Sequence, residues 1–206
     1  MLISLSVQSV SKSFSDRSVL RAISFEAREH EIIGVAGRNG AGKSTLVKII
    51  GGILTPDKGK VELHIENTAI DPDEYYKYIG FAAPYIPVYD EFSPYELLKI
   101  TAKLRNIPWS DALTDGMMDR FGLAERKEAT HSYSSGMMQR IRLAAAIQHT
   151  PALLILDEPT TNLDERGIAI VRKIIEEQSG RGVVVLASNN PAELDWCGKT
   201  INVETK

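Results

Sequence analysis

The stretch Gly37-Arg38-Asn39-Gly40-Ala41-Gly42-Lys43-Ser44-Thr45 constrains this chain more than any other. A glycine, four residues and then Gly-Lys-Ser form the pattern of a phosphate-binding loop. Glycines open backbone dihedrals closed to other residues, so successive N–H groups can converge on phosphate oxygens. The surroundings suit that chemistry. Residues 31–36 (EIIGVA) have the length of a buried strand, and 43–50 carry a helical pattern stopped by Gly51 and Gly52. A helix starting at Lys43 directs its positive N-terminal end at the same anion. Lys43 is expected on the β- and γ-phosphates, and the Ser44 hydroxyl on a Mg²⁺ ion. The alternative, a glycine-rich turn that binds nothing, does not require this placement between strand and helix.

A second apolar run, Leu153-Leu154-Ile155-Leu156, ends in the adjacent acids Asp157 and Glu158. Strand alternation sends neighbouring side chains to opposite sides, so the two acids are expected to take different jobs. Asp157 is assigned to Mg²⁺, directly or through water. Glu158 is assigned as the base that orients and deprotonates an attacking water. By itself an Asp-Glu pair would more simply solvate a strand end; a phosphate loop in the same chain favours the catalytic reading.

Further strand patterns fall at 2–10, 20–26, 61–66, 183–187 and 200–203. Helical patterns fall at 94–104, 110–121, 136–149 and 165–178, with a short one at 191–196. Alternating strands and helices imply a mainly parallel sheet covered on both faces. The expected fold class is therefore α/β, a P-loop NTPase core with a mainly parallel sheet and an inserted helical lobe. The 206 residues fit a single domain, with a core of about 1–85 and 150–206 and a lobe of about 86–149.

The formal net charge of -3 gives no broad attraction for nucleic acid or anionic lipid. A single cysteine, Cys197, forms no internal disulfide and suits a reducing compartment. Without a run of 18 apolar residues or a basic leader segment, neither a membrane span nor a secretion signal is expected.

Taken together, these residues resemble the ATP-binding-cassette (ABC) ATPases. Asp157-Glu158-Pro159-Thr160 looks like that family's Walker-B extension. Thr161-Asn162-Leu163-Asp164 matches its D-loop, and Tyr133-Ser134-Ser135-Gly136-Met137 matches its Leu-Ser-Gly-Gly-Gln signature. Phe14 falls where the family places an aromatic that stacks on adenine. The resemblance covers essentially the whole chain. It implies ATP and Mg²⁺ as ligands, and a head-to-tail dimer in which Ser134, Ser135 and Gly136 serve a nucleotide held by the other subunit. It also implies a separate membrane-spanning permease, and a cytoplasmic position on the inner face of the cell membrane. The compact length resembles small heme-exporter and ABC-2-type export subunits. Helix capping by Ser134 or Ser135 is the plainer reading of the signature serines, and it is compatible with the other.

Two positions depart from the family pattern. Pro84 stands where a glutamine is usual, and no Gln lies between Gln8 and Gln139. Asn189 stands where a histidine usually follows the last core strand. Asn189 can still donate a hydrogen bond to a γ-phosphate oxygen, but it carries neither the charge nor the proton of an imidazole. Hydrolysis is therefore expected to be present but slower or differently gated.

Residues 85–92 (YIPVYDEF) lie where relatives meet the coupling helix of a membrane partner, and such an aromatic-rich loop reads either as a docking surface or as ordinary packing. His131 reads as a solvated loop residue and Cys197 as apolar filler. Two other functional classes compete with the transporter subunit. One is an ABC protein of DNA repair or translation, which usually adds coiled coils, zinc modules or a second cassette. The other is a P-loop phosphotransferase, which leaves the signature and the Asp164 segment unexplained.

Overall fold

The computed structural model describes residues 2–89, 91–123 and 133–204; Asp90 and His131 lie outside them. The chain opens with β1 (Ile3–Phe14), β2 (Arg17–Arg28) and β3 (Ile32–Ala36), followed by α1 (Lys43–Ile50). After β4 (Lys58–Ile65) and β5 (Thr68–Ala69), a short turn of helix α2 (Tyr75–Tyr78) leads into β6 (Ile79–Ala82). Three helices come next: α3 (Pro94–Arg105), α4 (Asp111–Arg120) and α5 (Ser135–Ile147). The chain closes with β7 (Leu153–Asp157), α6 (Glu165–Ser179), β8 (Val183–Ser188), α7 (Pro191–Leu194) and β9 (Lys199–Asn202).

The strands form two sheets. The five-stranded sheet, in the order β6-β7-β8-β3-β9, is parallel throughout, as the strand–helix alternation implies. A separate four-stranded sheet, β2-β1-β4-β5, is antiparallel throughout. The expected parallel sheet is thus accompanied by a second one, which the strand pattern did not distinguish. β1 and β2 are joined by a tight turn with no helix between them, which permits only antiparallel pairing. In β1 the buried residues Ile3, Leu5 and Val7 keep a period of two. An irregularity around Ser9 (φ 48°) then carries Val10 to the same buried face.

The parallel sheet is buried on both sides, and the alternation of its residues divides two apolar clusters. Leu153, Ile155, Val183 and Val185 pack with α1 and the antiparallel sheet. Leu154, Leu156, Val184 and Leu186 pack with α5, α6 and the residues of α3 and α4 that face inward, Leu98 and Met118. β6 passes against α5 at Gly80, where a Cβ would lie 2.2 Å from the Ala146 carbonyl oxygen. The end of α3 is tied to this region by Arg105, which donates to the Ile79 carbonyl (3.1 Å) and bonds His149 Nε2 (2.9 Å). The guanidinium can only donate, so His149 accepts as the neutral imidazole. Burial, with the Arg105 charge adding to it, lowers the His149 pKa to about 4.

Candidate functional site

The carboxyl ends of parallel strands are where open α/β sheets place their sites, and four such ends converge here. The loop leaving β3 enters α1 through Gly42, whose φ of 105° is open to glycine and whose absent Cβ would lie 2.8 Å from Val19. The first intrahelical bond of α1 runs from the Leu46 N–H to the Gly42 carbonyl (2.9 Å). The amides of Lys43, Ser44 and Thr45 are therefore the unpaired first-turn donors that an anion would meet. The Arg38 amide is placed differently. Both it and the guanidinium are turned to Glu204 Oε1, at 2.8 and 3.2 Å, which narrows the expected phosphate donors to the rest of the loop.

Lys43 is only 5% exposed. Its ammonium donates to the Gly37 carbonyl (2.9 Å) and lies 3.3 Å from Glu158 Oε1. Glu158 follows the last residue of β7 and has a φ of 47°, an uncommon conformation for a non-glycine residue that recurs at functional sites. This conformation comes directly after Asp157, at the point where the two acids diverge. Asp157, still in β7, is 1% exposed, and neither carboxylate oxygen has a hydrogen-bond partner among the described residues.

A buried, unpartnered carboxylate is costly unless something compensates its charge. A Mg²⁺ ion meets that requirement, since it takes hard oxygen ligands and typically uses one or two carboxylates together with phosphates and waters. Asp157 and the Ser44 hydroxyl are the residues that would hold it.

β8 lies beside β7, with Asp157 opposite Ala187, so Asn189 arrives next to Glu158. Its amide N–H donates to Glu158 Oε1 (3.2 Å), and its side-chain Nδ2 donates to Asn39 Oδ1 in the phosphate loop (2.8 Å). A cleft of about 540 Å³ opens over these groups; Phe14, Val19, Gly40, Ser44, Thr45 and Glu158 are among its lining residues. Phe14 is half exposed at the cleft wall, with the Lys12 ammonium 5.7 Å from its ring centre. Gly37 and Ala41 complete the loop: a Cβ on Gly37 would lie 3.0 Å from that of Ala41.

Ser134, Ser135 and Gly136 do not line this cleft. Ser134 caps α5, accepting from the Met137 N–H at 3.2 Å, and Ser135 is the first helical residue. The capping reading holds, and it leaves the first turn of α5 facing outward. Gly136 has a further role: a Cβ there would lie 2.8 Å from the Asn162 carbonyl oxygen. Gly136→Ala is therefore expected to push the start of α5 off the 159–164 segment, costing about 1–3 kcal/mol and lowering Tm by several degrees. An unchanged melting temperature would contradict the contact. Asp164 caps α6, accepting from the Gly167 N–H at 2.8 Å.

Two contributors escape sequence reasoning. Gln139, 2% exposed, donates to the Pro159 carbonyl (3.2 Å) and so ties α5 to the segment after Glu158. Glu193, 3% exposed, bonds the Thr160 hydroxyl, and burial raises its pKa. Tyr85, in the aromatic-rich stretch read above as either docking surface or packing, stays 45% exposed. Its ring lies under the Lys48 ammonium at 4.1 Å. Burial, the Asp157 charge and contact with that carboxylate raise its phenol well above the usual range.

Comparison with known proteins gives one consistent picture. A profile of the ABC transporter family matches residues 20–161. The bacitracin transport ATP-binding protein BcrA of Enterococcus faecalis is 32% identical over 97% of this chain and 65% of its own length. The lantibiotic transport ATP-binding protein SrtF of Streptococcus pyogenes is 30% identical over 90% of this chain and 80% of its own. The chain thus spans less than two thirds of the first of these relatives. Among solved structures, a dimeric ATP-binding cassette in a post-hydrolysis state bound to ADP and Pi superposes with a TM-score of 0.83. It covers 97% of this chain and 94% of its own at 21% identity, and so shares the fold.

Proposed function

Because the chain belongs to the ABC transporter family, we propose that it is the ATP-binding and hydrolysing subunit of a transporter, working through a separate membrane-spanning partner and more in keeping with export than import. The observation that carries this reading is the 3.3 Å approach of Lys43 to Glu158. It puts the phosphate loop and the acid beyond β7 in one cleft.

In this reading the triphosphate lies on the amides of Gly40, Gly42, Lys43, Ser44 and Thr45, with adenine against Phe14. The γ-phosphate competes with Glu158 for the Lys43 ammonium and frees the carboxylate to face a water. Glu158 takes a proton from that water as its oxygen bonds the γ-phosphorus. The bond to the β-phosphate oxygen breaks, giving ADP and inorganic phosphate. Asn189 holds Glu158 and the loop in register and presents an amide, in place of an imidazole, toward the γ-phosphate. Magnesium, when bound by Ser44 and Asp157, would neutralise charge on the β- and γ-phosphates.

The outward start of α5 at Ser134–Gly136 supports a head-to-tail dimer, in which each signature meets the other subunit's nucleotide. The division into a core of about 1–85 and 150–206 and a lobe of about 86–149 belongs to the same proposal. So does a position at the inner face of the membrane. An apolar groove of about 410 Å³, lined among others by Phe81, Ile86, Val88, Tyr89, Leu97 and Ile141, is the surface offered to the membrane partner. Among the described residues no helix is long and apolar enough to cross a membrane, so that partner would be another polypeptide or a segment outside those residues.

Isolated from its native membrane, the protein is expected to come with a multi-helix membrane protein, and its ATP turnover should not respond to small phosphoryl acceptors. Recovery alone, with turnover that rises on adding such an acceptor, would mark a phosphotransferase instead.

A further inference from the structure

The end of β1 that carries Phe14 outruns its neighbour on one side. β1 pairs with β4 only as far as Ser11, opposite Lys58. Lys12, Ser13 and Phe14 go on pairing with β2, opposite Leu20, Ser18 and Arg17. A strand end paired on one side leaves backbone groups to be satisfied on the other. Asp57 fills that place. Coming from the loop after α1, it donates its own N–H to the Ser11 carbonyl (2.9 Å). Its carboxylate accepts from the Lys12 ammonium and from the Ser13 N–H, both at 2.7 Å. These two donors hold the Asp57 carboxyl below its usual range. The loop can come this close because residue 59 is a glycine: with a φ of 82°, a Cβ there would lie 2.3 Å from the Gln8 carbonyl oxygen. A partly exposed ion pair contributes little by itself. Here the same carboxylate also holds backbone, so what Asp57 sets is the path of residues 11–13.

We propose that Asp57 is a positioning residue for the nucleotide base. It fixes the Phe14 end of β1 relative to the phosphate loop, so that the ring meets the base while the phosphates lie on residues 40–45. Phe14 and the loop line one cleft, but they belong to different sheets, and no strand pairing sets the distance between them. Asp57, on the chain leaving the phosphate-loop helix, supplies that link. Lys12 adds to it: held by Asp57 and only 15% exposed along its side chain, its ammonium stays within cation–π reach of the Phe14 ring at 5.7 Å. A strand end left free would have to be ordered each time a base arrived, and that ordering subtracts from affinity. With Asp57 in place the ring is ordered beforehand.

This inference rests on the ATPase reading, and one pair of titrations tests the two separately. ATP and inorganic tripolyphosphate, which has the phosphates and no base, are each titrated with magnesium into the full chain by calorimetry. Asp57→Ala is expected to weaken ATP binding about tenfold, the order of one base–aromatic stack, and to leave tripolyphosphate affinity as in the unaltered protein. Asp57→Asn keeps an oxygen for the Ser13 N–H and gives up the charge facing Lys12, so it should lose less. In a Phe14→Ala background Asp57→Ala should have little further effect on ATP, because its action runs through that ring. Equal ATP affinity with and without the Asp57 carboxylate would overturn its role and leave the ATPase reading standing. An equal loss for ATP and tripolyphosphate, the mark of a loosened fold, would do the same. So would an equal loss in both backgrounds. An unaltered chain that binds neither ligand would overturn both readings.

Discussion

Glu158→Gln is expected to lower single-turnover ATP hydrolysis by about 10²-fold or more while leaving ATP binding intact or slightly tighter. The carboxamide keeps the size of the side chain and an oxygen that can still accept from the Asn189 N–H, a bond of 3.2 Å in the native site. What it loses is the capacity to take the proton from water. It also loses the ionic contact with Lys43 at 3.3 Å, and that ammonium is then free for the triphosphate. The two effects are read in separate assays, so a misfolded variant, which would lose both, is distinguishable. Hydrolysis that survives Glu158→Gln would remove Glu158 as the base and point to substrate-assisted or water-only attack.

Lys43→Ala has the second large effect, and it acts on binding. The ammonium is nearly buried and bonds the Gly37 carbonyl at 2.9 Å, so it is already directed into the loop that would enclose the β- and γ-phosphates. Losing a charged donor to phosphate costs about 1.5–3 kcal/mol, or roughly 10- to 100-fold in affinity. The loss is compounded because Glu158 would then face the triphosphate with no cation between them. Lys43→Arg is expected to recover little. The guanidinium is larger and forked, and the pocket formed by the Gly37 carbonyl and Glu158 admits a compact point charge. Calorimetric titration with ATP reads both variants.

Much of the site was legible because its chemistry is local in sequence. Seven consecutive positions, 39–45, carry the loop and the first turn of α1, and the strand–turn–helix context could be read from period and length. The bounds of α1 match the pattern 43–50. The acids at 157–158 announced themselves through the apolar run before them. Asn189 was placed by its distance from the last buried strand, and the structure brings it to Asn39 across 150 residues.

What was hidden depended on tertiary path. The antiparallel sheet was not separable from the parallel one, because a strand pattern tells which residues are buried and not which neighbour pairs with it. β6 was missed as a strand since Ile79–Ala82 is four residues long and contains Gly80, which reads as a breaker. Its glycine instead answers to the close approach of Ala146. The buried polar residues Gln139 and Glu193 sit on helix patterns whose sequence gives no reason to prefer the inward face. Tyr85 looked like one more aromatic in an exposed loop, and it is exposed; its ring contact with Lys48 depends on the course of the chain after β6.

The central claim is that residues 37–45 grip a triphosphate with magnesium held between Ser44 and Asp157. Equilibrium binding of ATP to the purified chain, with magnesium present and with it chelated, tests this most directly. The account predicts affinity that depends on the metal and falls at least tenfold in Lys43→Ala. Affinity indifferent to magnesium, and equal in the unaltered chain and Lys43→Ala, would contradict it.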